Sequence, residues 1–209
     1  SGKWWVLGDR TQAPSGAGFA LENRMATTRV YSDIYAGANV TRLAGFFREF
    51  RNTLMGLRET GESRVGILTP GMMNETYFEH AYIARYLGLS LLEGDDLSVQ
   101  DGQLMIRTID GLQPISVLWR RLDAAWADPL ELNEGSHLGT PGLLGAVRSG
   151  KLSILNALGA GVLETRALMA FLPRLSQVLR GAPLRMPNNA TWRSGQESER
   201  AFVRANAAR

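Results

Sequence analysis

The chain has 209 residues, 44% of them hydrophobic, with a formal charge of +3 and no cysteine. That length and apolar content are enough for one large domain or two small ones. The lack of Cys excludes disulfides, thiolate zinc sites and thiol nucleophiles. The small charge, with lysine only at Lys3 and Lys151 and no basic run, argues against an electrostatic nucleic-acid binder. No run of eighteen apolar residues occurs, so no membrane span is expected. The start, "SGKWWVLGD", lacks the charged region and long apolar core of a signal peptide, and a cytoplasmic protein is expected.

"WWVLGD" (residues 4–9) reads as a short buried strand running into a loop. In "ALENRMATTRVYSDIYAG" a helix is expected from about Asn23, with Met25, Val30, Ile34 and Tyr35 near one face and Gly37 as a stop. "VTRLAGFFREFRNTLMGLRETG" is amphipathic: Leu43, Phe46, Phe47, Phe50, Leu54 and Leu57 recur at helical spacing. A β-α-β order follows. "RVGILTPG" is a buried strand ending in a Pro-Gly loop. "NETYFEHAYIARYLG" is a helix with Asn74 as N-cap and Gly88 as C-terminal stop. "LSLLEG" is the next strand. Asp101-Gly102, between the alternating runs of "LSVQDGQLMIRT", is a hairpin turn. "ISVLWRRLD" is a strand with charge at its far end. A Gly-rich entry then leads to a helix over 141–149 and a strand "LSILNA". From about Gly181 a loop precedes a polar helix. Parallel strands joined by helices, with an inserted hairpin, define an α/β fold with a mixed sheet, and ligands of such sheets gather beyond the carboxyl ends of the strands.

Several polar or Gly-rich clusters fall at those strand ends: Asp9-Arg10, Thr69-Pro70-Gly71, Arg120-Arg121-Leu122-Asp123 and Asn156-Ala157 with Gly159 and Gly161. The stretch "GDRTQAPSGAGFALENR" (residues 8–24) is the densest. Asp9, Glu22 and the Asn23 amide oxygen are hard ligands suited to Mg²⁺. Arg10 and Arg24 can neutralise an anion, and backbone N–H groups of the Gly-rich turn can point at phosphate oxygens. The alternative is a structured loop with internal ion pairs. In "LWRRLD" the tandem arginines must point to opposite faces. One can then face a ligand while the other pairs with Asp123 or Asp128, or both can belong to an edge-strand ion pair. His80 is either a base or ligand, or simply a partner-bonded residue. No Gly-x-Ser-x-Gly elbow and no zinc spacing occur.

Taken with "LTPGMMNETYFEHAYIARYLG", "LLEGDDLSVQDGQLMIRT", "VLWRRLDAAWADPLEL", "SHLGTPGLLGAVRSGKLSILNALGAG" and "LRMPNNATWRSGQ", the opening stretch resembles the circularly permuted ATP-grasp proteins, distant relatives of glutathionylspermidine synthase. "GVLETRALMAFLP" is similar to the long subgroup, which continues into a helical alpha-E domain. The resemblance implies ATP-dependent ligation of a small-molecule or peptide-like carboxylate to an amine through an acyl phosphate, with ATP and Mg²⁺ as cofactors. It implies an N-terminal segment of the permuted module over 1–60, a Rossmann-like domain of the pre-ATP-grasp type over 61–180, and a linker over 181–209.

By motif position, Asp9, Glu22 and Asn23 would be metal ligands, although the family's Glu-x-Asn is here an adjacent Glu-Asn. Arg10, Ser15, Gly16 and Arg24 would lie at the phosphates. Arg10, Arg120 and Arg121 would be catalytic, and Thr69, Gly71, Asn74, Tyr77 and Asn156 would bind substrate. The family continues past "ERAFVRANAAR" into a Lys-Pro strand and a Gly-rich lid, so little or no ligase activity is expected of these 209 residues alone. The competing expectation is a non-catalytic nucleotide- or peptide-binding module.

Overall fold

The computed structural model describes residues 2–206. They divide into two compact units, one of Gln12–Leu158 and one built from the described parts of 1–11 and 159–209. The expected boundaries at 60/61 and 180/181 lie inside the larger and the smaller unit respectively.

The larger unit carries the sheet. Its helices are α1 (Ala17–Val30), α2 (Ser32–Gly37), α3 (Ala44–Gly56), α4 (Tyr77–Leu87) and α5 (Leu143–Arg148). Its strands are β1 (Arg64–Leu68), β2 (Ser90–Leu92), β3 (Leu97–Gln100), β4 (Gln103–Thr108), β5 (Gly111–Arg120) and β6 (Ser153–Leu155). β1 runs parallel to β2 on one side and to β5 on the other. β5 is long enough to serve two partners along its far edge. Its first half pairs antiparallel with β4, and its end pairs parallel with β6. The sheet is therefore mixed: a parallel core of β2, β1, β5 and β6, with the β3–β4 hairpin added beside it.

Both faces of the parallel core are covered, which is why "RVGIL" reads as an unbroken apolar run. Side-chain alternation sends Val65, Ile67 and Val117 into a cluster with Phe47, Leu54 and Ile83 of α3 and α4. It sends Leu68 and Leu118 into the other cluster, with Leu104 and with Leu143 of α5. The local turn signals hold. Asp101 and Gly102 both take positive φ, at 50° and 74°, as a type I′ hairpin turn requires, and Gly88 closes α4 in the left-handed region.

Other expectations need correction. Trp4–Asp9 forms no strand: only Val6 bridges, to Asn188, and Trp4 is 84% exposed. A strand needs a paired neighbour, and here the partner is a single residue far along the chain. The helix expected from Asn23 starts at Ala17, and a break at Tyr31 separates α2. Asn74 does not cap α4. Its Oδ1 accepts from the N–H and hydroxyl of Thr76, the residue at the cap position. In the smaller unit, α6 (Leu172–Arg180) was not foreseen, although a Pro in its first turn and Gly181 after its end mark it. The polar helix near the end is α7 (Glu197–Asn206).

Candidate functional site

The site grows from the last residue of β5 and the one after it. Strand alternation sends Arg120 and Arg121 to opposite faces. Arg120 is fully buried. Its Nε donates to the Asn156 carbonyl at 2.7 Å and its Nη1 to the Leu122 carbonyl at 2.7 Å. Its Nη2 donates to the Ala157 carbonyl at 3.0 Å and to Gln12 Oε1 at 3.2 Å. It staples the end of β5 to the segment after β6 and to the start of the unit.

Arg121 meets a carboxylate. Its side chain is 2% exposed and that of Glu79, in the first turn of α4, 0%; Nη2 and Glu79 Oε1 lie 3.3 Å apart. Nη2 also donates to the Pro14 carbonyl, and the guanidinium lies 5.0 Å from the centroid of the Trp119 ring, one alternation step back along the strand. Glu79 Oε2 accepts the Gly16 N–H at 2.6 Å. Burial lowers the Arg121 pKa, and the Glu79 charge opposes that shift. Among the described residues, Nε and Nη1 of Arg121 make no hydrogen bond. The side chain lines a cavity of about 330 Å³ together with Ser15, Asn74, Glu75 and Asp123. Pro70, just past β1, and Leu122, just past β5, also line it. It therefore lies beyond the carboxyl ends of parallel strands, where α/β sheets hold ligands.

A hydrogen-bonded chain runs to the same cavity. Thr69 Oγ1, which accepts from the Gly71 N–H at 3.3 Å, lies 2.8 Å from His80 Nδ1. The Thr76 hydroxyl donates to Asn74 Oδ1 at 2.5 Å and sits 3.1 Å from His80 Nε2. With that proton committed, Thr76 accepts from Nε2–H, and Nδ1 accepts from Thr69; this network assigns the tautomer. Burial, followed by the nearby Arg121 charge, lowers the His80 pKa from 6.5 to about 4, so the imidazole is neutral near pH 7. Asn74 Oδ1 also accepts the Thr76 N–H at 2.9 Å. The amide is thereby fixed, and its Nδ2 is left for the cavity.

The other expected site residues are placed as follows. Ser15 is exposed at the cavity. The Gly16 N–H, expected at a phosphate, is taken by Glu79. Gly71 has φ 93°, and a Cβ there would stand 2.9 Å from Glu93 Oε2. Tyr77 opens α4, half-buried. Asn156 contributes its carbonyl to Arg120. Arg24 donates to the Tyr35 hydroxyl at 3.2 Å and the Thr41 carbonyl at 3.0 Å, holding α2 against α1. Glu22, half-buried, bonds Tyr82, while Asn23 is exposed. As successive helical residues they leave the helix about 100° apart. In the smaller unit, Asp9 and Arg10 line a polar cavity of about 460 Å³ with Glu164 and Arg166. Glu164 accepts the Thr11 N–H at 2.7 Å. Among the described residues no three His, Cys, Asp or Glu side chains gather as a metal-binding group.

The division of roles expected of the tandem arginines is corrected: Arg121 both lines the cavity and pairs with an acid, and that acid is Glu79 and not Asp123 or Asp128. Asp128 is buried and accepts the N–H groups of Leu130, Gly142 and Leu144, turning the chain into α5. Glu79, Glu164 and Arg166 were missed as site residues. Glu79 carried a readable signal: it lies four and eight residues before Ile83 and Leu87, a carboxylate in the apolar stripe of α4.

Residues 1–209 match the family of circularly permuted ATP-grasp type 2 proteins, and the chain belongs to that family. It is 35% identical over 206 residues to an uncharacterized protein of Synechocystis sp. (strain PCC 6803), covering 97% of this chain and 43% of that one. It is 38% identical over 208 residues to an uncharacterized protein of Mycobacterium tuberculosis (strain H37Rv), covering 98% of this chain and 23% of that one. A second uncharacterized protein of that strain is 34% identical over 205 residues, with 97% and 37% covered. The chain thus spans less than half the length of these curated relatives. Among the described residues no helix is long and apolar enough to cross a membrane.

Proposed function

We propose that the chain is part of an ATP-dependent carboxylate–amine ligase of peptide-like chemistry. A substrate carboxylate oxygen attacks the γ-phosphorus of ATP and ADP leaves. An amine nitrogen then attacks the acyl phosphate carbon, phosphate leaves, the nitrogen loses a proton, and an amide forms. The supporting observation is the Arg121 guanidinium, buried but only partly used, in the wall of a cavity beyond the strand ends of an ATP-grasp family member.

In this reading the pre-ATP-grasp, Rossmann-like part holds substrate through Arg121, Asn74, Thr69, Gly71, Tyr77 and Asn156, with Arg120 keeping the strand end in place. Arg10 of the smaller unit and, separately, Ser15 and Arg24 of the larger are candidate phosphate contacts, and Asp9 in the one and Glu22 and Asn23 in the other are candidate metal donors, each taken singly. Mg²⁺, when bound, shields phosphate charge, and such ions are held by one or two carboxylates together with the phosphates. A cytoplasmic setting, where ATP is supplied, and a downstream alpha-E domain belong to the same reading.

Calorimetric titration of the 209-residue chain with Mg-ATP tests it. Weak binding is expected, with Kd above ~0.1 mM (about −5.5 kcal/mol), no amide product, and a further weakening by Asp9→Ala. Binding unchanged by both Asp9→Ala and Glu22→Ala refutes the metal assignment. One observation favours a second reading, a non-catalytic binding module. Gly16 and Arg24, two of the expected phosphate donors, are engaged by Glu79, Tyr35 and Thr41. ATP consumption with amide formation by the longer Synechocystis relative supports the ligase; ligand binding without turnover supports the module.

A further inference from the structure

We propose that the cavity beside Arg121 is a subsite for a small zwitterion of the α-amino-acid type, whose carboxylate is taken by Arg121 and by an Asn74 amide that the Thr69–His80–Thr76 chain holds in one orientation. The role of that zwitterion as a ligase substrate rests on the function proposed above; its binding does not.

Three features of the wall argue for this class. The first is the pair of donors. Arg121 spends Nη2 on Pro14 and Glu79 and keeps Nε and Nη1. Asn74 spends Oδ1 on Thr76 and keeps Nδ2. A carboxylate has two oxygens, one for a single guanidinium N–H and one for the amide, and the charged donor makes the stronger bond. The second is the sign of the charge. Arg121 is already balanced by Glu79 behind it, and Asp123 and Glu75 line the same cavity. A phosphate group, with two negative charges and no second cation in the wall, meets net repulsion. A zwitterion puts its carboxylate at Arg121 and its ammonium toward the two acids. The third is size and lining. About 330 Å³ is at the small end of ligand cavities, and Leu122, Trp126 and Leu138 give a side chain an apolar surface.

His80 is a positioning residue here. It touches Thr69 and Thr76, and acts on the cavity only through Thr76. An Nε2–H donated to the Thr76 oxygen leaves the Thr76 hydroxyl proton for Asn74 Oδ1, which also accepts the Thr76 N–H. The two bonds together disfavour the flipped amide, which would present an acceptor to a carboxylate.

The experiment needs no nucleotide, so its failure is separate from failure of the ligase reading. The ¹⁵N-labelled chain is titrated by NMR with L-alanine, and in parallel with acetate, ethylamine and inorganic phosphate. Alanine should shift the Asn74 side-chain amide and the Arg121 Nε–H resonances saturably, at about millimolar affinity. The other three should bind at least about tenfold more weakly. Thr76→Val should weaken alanine about tenfold, and Thr76→Ser should restore it. Acetate or phosphate binding as tightly as alanine, or no perturbation of Asn74 by any probe, overturns the proposal. So does alanine affinity indifferent to Thr76→Val. Should Thr76→Val fail to fold, the imidazole ¹⁵N shifts of His80 in the unaltered chain decide the relay: an Nε2–H tautomer supports it, and an Nδ1–H tautomer overturns it.

Discussion

The two sides of the carboxyl end of β5 present the same residue type in adjacent positions and use it differently. On one side Arg120 reaches the main-chain carbonyls of Leu122, Asn156 and Ala157 and the Gln12 amide oxygen. On the other, Arg121 meets a buried carboxylate, an aromatic face and the wall of a cavity. A guanidinium that satisfies backbone oxygens is a staple. One that keeps donors beside a cavity, with its charge partly balanced, is set up for a ligand. What each arginine does follows from its neighbours' unmet needs and not from its own chemistry.

Mutation should separate the two sides most sharply through Glu79. Arg121→Met leaves a carboxylate buried without its partner, and breaking a buried pair in that way costs about 3–5 kcal/mol. The double variant Arg121→Met/Glu79→Gln should recover much of that loss, because neither charge remains. Arg120→Met should also be strongly destabilising, since several carbonyls lose their donor at about 1–3 kcal/mol each. Adding Glu79→Gln should give Arg120→Met no recovery. Urea denaturation of these four variants and of Glu79→Gln alone measures both couplings, and equal recovery on the two sides would dissolve the distinction.

The sequence shows the distinction only in part. The alternation that sends Arg120 and Arg121 apart is local and was legible, as were the Asp101-Gly102 turn, the Gly88 stop and the apolar "RVGIL" strand. The identity of their partners was not. Glu79 is forty-two positions before Arg121, and it displaced the nearer Asp123 and Asp128 because α4 brings it to the strand end fully buried. Asp128 was committed to three N–H groups around α5. "WWVLGD" failed as a strand for a related reason: local propensity cannot supply a neighbouring strand. The opening stretch also divides between two units after Thr11, a break that its composition gives no sign of.

A smaller effect sharpens the comparison through pH, since His80 lies on the Arg121 side. Its folded-state pKa of about 4 is below the ordinary 6.5 of an unfolded chain. Below pH 6.5 the unfolded chain takes up a proton that the folded chain refuses, so the contribution is full above 6.5 and is lost as pH falls toward 4. Between pH 7 and pH 5 the loss is about 2 kcal/mol. His80→Gln keeps an acceptor and a donor but does not titrate, so its stability should change less over that interval by about the same amount. Denaturation midpoints at the two pH values, read as differences within each protein, remove any fixed cost of the substitution. Parallel slopes for the two proteins would mean that His80 titrates normally and that the relay is open to water.

A last test concerns Gly16, where the ion-binding and structural readings of the opening stretch make different forecasts for affinity. Gly16 has φ 118°, and an added Cβ meets nothing within 4 Å. The cost of Gly16→Ala is therefore conformational, about 1–3 kcal/mol, with no clash. Its N–H survives the substitution and can still serve Glu79. Gly18 differs, since a Cβ there would lie 2.6 Å from Glu79 Cγ, so Gly18→Ala must move the carboxylate that Arg121 needs. In either case Gly16→Ala lowers stability, because φ 118° is observed. If the Gly-Ala-Gly turn exists only to seat α1 on α4, Mg-ATP affinity is unchanged; if the turn cradles phosphate, the affinity falls as well, because the backbone would be displaced where the phosphate must approach. Calorimetric titration beside urea denaturation of this one variant decides between them. The 2.6 Å bond from Gly16 to Glu79 favours the first outcome: an N–H already held by a buried carboxylate has to give up that bond before it can turn to a ligand.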